Sequence, residues 1–225
     1  MNGFVVFTAG IAGLVVIRAL CTALARNAGT PPRIHLVPAR ARGQHARDVQ
    51  TRTREFEERG FTRAGTYRVD PMRGVVITAF VHERESLCAI IYHHPAVGCF
   101  VDVVSKNRAG NSFTATTAPM GEALDQRDGQ EKVFDPGLTI PALIDLTRAR
   151  RPSGPWEIWN AGNFAAKFES AYAKEMVWRA GRGGVTSGEV RRQAKASGRE
   201  VTEADIQQAT QELQKQFAES RRDVR

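Results

Sequence analysis

Cysteine is scarce: the 225-residue chain has three, and no two of them form a C-x-x-C pair. That excludes a disulfide framework and a zinc site built on paired thiolates. Histidine is nearly as rare, with five residues and no H-x-x-x-H or H-E-x-x-H spacing, so no metal ligand set is expected. Twenty glycines include no Walker A loop and no G-x-G-x-x-G following a strand. The one glycine-rich stretch, "RAGRGGVTSGE", follows a helical pattern instead, and a flexible connector is its plainer explanation. There is no internal repeat and no low-complexity tract. No cofactor, no metal and no catalytic motif is assigned.

Charge is plentiful and unevenly placed. Net charge is +8 with a pI near 9.9, which brings an anionic partner into consideration. Residues 26–63 hold nine Arg against four acids, residues 64–147 seven basic groups against ten acids, and residues 148–225 fifteen against ten.

Long apolar runs are absent except at the start. Phe4 to Ala25, "FVVFTAGIAGLVVIRALCTALA", is broken only by Arg18 and would form a helix of about 33 Å, against a bilayer core of about 30 Å. A cleaved export signal is the rival reading, since Ala23-Leu24-Ala25 fits a small-x-small site, but "MNG" lacks the positive charge such signals carry. The pattern predicts a single transmembrane helix over 4–25. Arg26, Arg33, Arg40, Arg42 and Arg47 then follow on one side, predicting an N-terminus-out, cytoplasmic-domain topology at the cell membrane. Pro31, Pro32 and Pro38 make residues 26–43 a basic Pro-rich linker, whose four Arg, with Arg47 just beyond it, are expected to lie against anionic lipid.

Beyond the linker, Gln44 to Arg59 is rich in helix formers and ends at Gly60. Period-two stretches follow: "TYRVD", "VVITAFVH", "LCAIIYHH", "CFVDVVSK" and "SFTATT", separated by turn signals about every ten residues, with a further strand at Gln130 to Phe134. "LCAIIYHH" is apolar on both faces and reads as a central strand. Thr139 to Arg150 reads as a helix with Pro141 in its first turn. The fold class expected is α+β, an antiparallel β-meander with flanking helices over 44–151, followed by a C-terminal helical extension over 156–225. In that extension Phe164, Phe168, Tyr172 and Met176 line one face of a helix, and core packing is the plainer explanation for them. Thr186-x-x-Glu189 is a capping box, and Thr202-x-x-Asp205 opens a last helix.

Three residues are candidates for chemistry. His93 and His94 close one strand, and Asp102 interrupts the apolar "CFVDVV" of the next, so a His beside a carboxylate could act as a base. Adjacent strand residues face opposite ways, however, so the two His cannot readily share one metal. A hairpin centred near 95–97 pairs Cys88 with about Val104 and Cys99 with about His93, too far apart for a disulfide. The C-terminal helices suggest helix-turn-helix DNA binding, but Glu203, Asp205 and Glu212 would face phosphates, so nucleic acid is not the expected partner. The function expected is a membrane-anchored interaction or scaffold domain, with a protein partner engaged through the C-terminal helices. The alternatives are a tethered enzyme using His93 or His94 with Asp102, and a tethered nucleic-acid binder.

Overall fold

The computed structural model describes residues 31–40, 45–94, 98–118, 123–196, 198 and 200–219. They fall into two compact units, one of residues 33–122 and 126–174, the other including residues 123–125 and 175–219.

The first unit is built on seven strands: β1 (His35–Pro38), β2 (Thr62–Asp70), β3 (Val76–His82), β4 (Leu87–His94), β5 (Gly98–Lys106), β6 (Ser112–Thr116) and β7 (Gln130–Phe134). They lie in sequence order across one sheet, so β4 is central, as its two apolar faces require. Helix α1 (His45–Glu57) precedes β2, and α2 (Ile140–Arg150) follows β7. Gly60 stands just past α1 with φ +81°, the left-handed conformation that stops a helix at little cost for glycine. Thr139 caps α2 by accepting from the Ala142 N–H.

Period-two alternation sorts the side chains. Phe80, Leu87, Ala89, Ile91, Val101 and Val103 face α1 and α2, where Phe56, Leu143 and Ile144 are fully buried. Ile77, Ala79, Val81, Cys88 and Ile90 face the other way, against Trp159 and Phe164. Phe164 opens helix α3 (Phe164–Gly181), and Phe168 and Tyr172 one and two turns later pack on the same cluster, so the aromatic stripe is core. The second unit contains the last turns of α3 with α4 (Ser187–Ala196) and α5 (Glu203–Glu219).

Three expectations need correction. Strands β1 to β6 are antiparallel neighbours, but β7 runs parallel to β6, so the sheet is mixed rather than an antiparallel meander. Residues 117–129 between them have the length of a crossover, about a dozen residues, rather than of a hairpin. Second, no helix among the described residues is long and apolar enough to cross a membrane. The longest, α3, has 18 residues and carries Lys167, Glu169, Lys174, Glu175 and Arg179. A single-pass transmembrane protein at the cell membrane, N-terminus out with a cytoplasmic domain, is therefore not supported; the span read at 4–25 lies outside the described residues. Third, β1 falls within the stretch read as a lipid-contacting linker and is tied to β2 by the register His35 to Asp70 through Pro38 to Tyr67. Arg33 and Arg40 flank that strand and are exposed, as is Arg47 on α1, while Arg26 and Arg42 lie outside the described residues.

Candidate functional site

Asp102 is on β5, opposite Ile90 of β4 and Thr116 of β6. The Thr116 and Tyr92 hydroxyls act on its carboxyl, and Tyr92 stacks on Phe100 with ring centroids 4.5 Å apart. Burial raises the Asp102 carboxyl above the ordinary carboxylate range, with the Thr116 bond, Lys132 and the Tyr92 bond acting against it. Burial and the adjacent Asp102 push the Tyr92 phenol well up. Burial makes the group a poor anion.

The strand register sets both histidines apart from it. His93 pairs in register with Cys99 and Val76 and alternates with Tyr92, so it belongs to the opposite face from Asp102. His94 pairs with Gly98, four rungs from the Ile90–Asp102 pair, about 13 Å along the strand. The His–Asp base that an enzyme reading requires is not assembled. Among the described residues there is no group of three or more His, Cys, Asp or Glu placed to hold a metal. Cys88 and Cys99 are free thiols, opposite Val104 and His93 as the hairpin register predicted.

A carboxyl whose acidity is weakened by folding binds its proton more tightly in the native state. Its contribution is greatest below the unfolded value and is lost as pH rises through the raised native one. Asp102→Asn, whose amide can still bond both hydroxyls, should therefore melt at or above the wild-type temperature at pH 7, the two converging below about pH 4. Thermal melts across that range check this; an Asn variant less stable at neutral pH would show that the charged form is what the fold uses.

The better-built surface lies at one end of the sheet, where residues 151–163 cross it. Asn107 Nδ2 donates to Ser153 O at 2.8 Å, Arg108 N–H to Pro155 O at 2.9 Å, and Glu157 N–H to Lys106 O at 2.8 Å, with Asn107 and Trp156 paired as an isolated antiparallel bridge. The Trp156 indole N–H donates to Pro152 O at 3.0 Å, and the Arg151 guanidinium lies 3.3 Å from the centre of the Trp156 ring. Arg151 also donates to Glu85 O, and Arg148 grips the Glu85 carboxylate at 2.6 and 2.7 Å, holding it below its usual range. Glu157 is raised by burial but lowered more by its bonds to Lys106 and Lys167, which it meets at 2.9 and 3.0 Å. So fastened, the segment leaves Trp156 38% and Ile158 54% exposed.

From the sequence, Trp156 reads only as a neighbour of the aromatic helix stripe, and Ile158 is not singled out. The available signal was "GPWEIW", an apolar alternation between Pro/Gly breaks and outside any helix or strand of useful length. The second unit holds the basic residues that had suggested DNA binding. Arg182, Arg192 and the Thr186 hydroxyl converge on Asp125; burial opposes the Asp125 charge, but the Arg192 and Arg182 bonds hold it below its ordinary range. Arg179 pairs with Glu189 and Glu175, and Arg191 with Glu203.

Comparison with known proteins adds no relative: no family model, no curated protein and no solved structure matches the chain.

Proposed function

We propose that the chain is a protein-interaction module that receives an acidic, apolar-anchored segment of its partner at the Trp156–Ile158 surface. The observation that carries this is the exposure of two large apolar side chains on a segment already fixed by backbone bonds to β5 and the turn after it. Their ordering cost is met on folding, so burial by a partner returns most of the roughly 25 cal/mol per Å² that apolar surface gives. Tryptophan and arginine are the usual anchors of such surfaces. Exposed Arg108 beside Pro155, and Arg151 under the indole, favour a partner of negative charge.

The other readings have less behind them. An enzyme using His93 or His94 with Asp102 has their strand register against it, and a nucleic-acid binder would have to free Arg179, Arg182, Arg191 and Arg192 from their carboxylates. A protein partner on the C-terminal helices would find Val177, 69% exposed on α3, but single exposed apolar residues are ordinary.

A photo-crosslinking residue placed at Ile158 should yield a discrete adduct in cells, absent when the same residue replaces the exposed Asp145. Arg108→Glu should reduce that adduct at least tenfold without lowering the melting temperature. Identical adducts from both positions, or indifference to Arg108→Glu, would overturn the reading.

A further inference from the structure

A sheet with two ends presents two rows of unpaired backbone groups, each a template for another strand. Among the described residues the outer strands are β1 and β7. On β1, the Ala39 N–H donates to Thr66 O, which fixes the parity of the ladder: residues 35, 37 and 39 address β2, and Leu36 and Pro38 turn their backbone groups outward. The Leu36 N–H donates to Glu169 Oε1 of α3 at 2.6 Å, and Pro38 has no N–H to offer. The outward donors of β1 are thus taken or missing.

On β7, Ser112 N–H donates to Gly129 O and Asp135 N–H to Thr116 O, so residues 131, 133 and 135 address β6 while Gln130, Lys132 and Phe134 turn outward. Gln130 N–H donates to Arg127 O. Lys132 N–H donates to Gln126 Oε1 at 2.9 Å, and Gln126 Nε2 donates back to Lys132 O at 3.3 Å. The side-chain amide of Gln126 makes the two bonds that the peptide group of a neighbouring strand would make.

We infer that Glu169 and Gln126 keep the sheet from pairing edge to edge with a second copy of the chain. A second copy is the occupant because identical edges pair about a two-fold axis without any further complementarity, and each guard spends its bonds on a backbone group that such a pair would need. The two guards belong to different elements and stand at opposite ends of the sheet.

Glu169→Ala and Gln126→Val, separately and together in the full chain, test the inference by sedimentation velocity over a concentration series. Each should raise the self-association constant at least tenfold, with the Leu36 or Lys132 amide protected from hydrogen exchange in the associated form. Glu169→Gln, which keeps an acceptor oxygen, should sediment as wild type. Should Glu169→Ala fail to fold, Gln126→Val decides alone, because Gln126 is exposed and outside the core. Wild-type sedimentation by a natively folded Gln126→Val, or association that leaves both amides exchanging freely, would overturn it.

Discussion

Replacing Glu189 by Ala should cost the second unit about 3–5 kcal/mol, the range expected when one partner of a buried ion pair is removed. Glu189 is only 2% exposed. One carboxylate oxygen accepts the Asp125 N–H at 2.7 Å and the Arg179 guanidinium at 3.1 Å, and the other accepts the Thr186 N–H at 3.0 Å. Removing the side chain leaves two backbone donors without acceptors, each costing about 1–3 kcal/mol, while Arg179 keeps Glu175. Glu189→Gln retains one acceptor oxygen and should lose less. Hydrogen exchange of peptides from α4 and α5 is the measurement. Unchanged protection in Glu189→Ala would show that water replaces the carboxylate at no cost.

Phe164→Ala should destabilise the first unit by about 3–5 kcal/mol, the usual cost of a buried Phe truncation that leaves a cavity. Phe164 is 0% exposed and sits among three rings, with centroids 6.1 Å from Tyr67, 6.1 Å from Trp159 and 5.6 Å from Phe168. With Phe168 and Tyr172 it docks α3 on β2, β3 and β4, so the cavity would open between helix and sheet. Against a typical stability of about 5–15 kcal/mol the loss is large. Phe164→Leu keeps most of the volume and should cost clearly less. Denaturant titration of both variants checks this; a loss below about 1 kcal/mol for Ala would mean that the aromatic cluster repacks.

The outcome at Asp102 shows how far local pattern reaches. Alternation along β5 sets Asp102 on one face with Val104, and register puts Thr116 beside it, because side-chain direction on a strand has a period of two and follows from position alone. The same rule separated the two histidines. What alternation could not supply was the Tyr92 hydroxyl, which reaches the carboxyl only once hairpin register brings β4 against β5. Nor could it show that β7 runs parallel to β6, since a strand's own residues carry no record of its neighbour's direction.

By itself the sequence determined the elements whose signals are local: six strands from period two and turn residues, the end of α1 at Gly60, helix α2 with Pro141 in its first turn, and the Thr186–Glu189 capping box, in which Glu189 N–H does donate to Thr186 Oγ1 at 3.2 Å. Those rest on interactions within a few residues, so composition and spacing suffice. Only the tertiary structure decided which of those elements would carry more than their local role. Glu189 became a buried hub because Asp125 and Arg179 arrive from 64 and 10 residues away. β1 joined the sheet although three prolines and a run of Arg had marked its surroundings as linker, because a strand of four residues draws its stability from its neighbour's backbone and from Glu169, 133 residues distant from Leu36. Trp156 and Ile158 are exposed on a segment whose backbone is held by Asn107 and Lys106, contacts made across about fifty residues that no local pattern records.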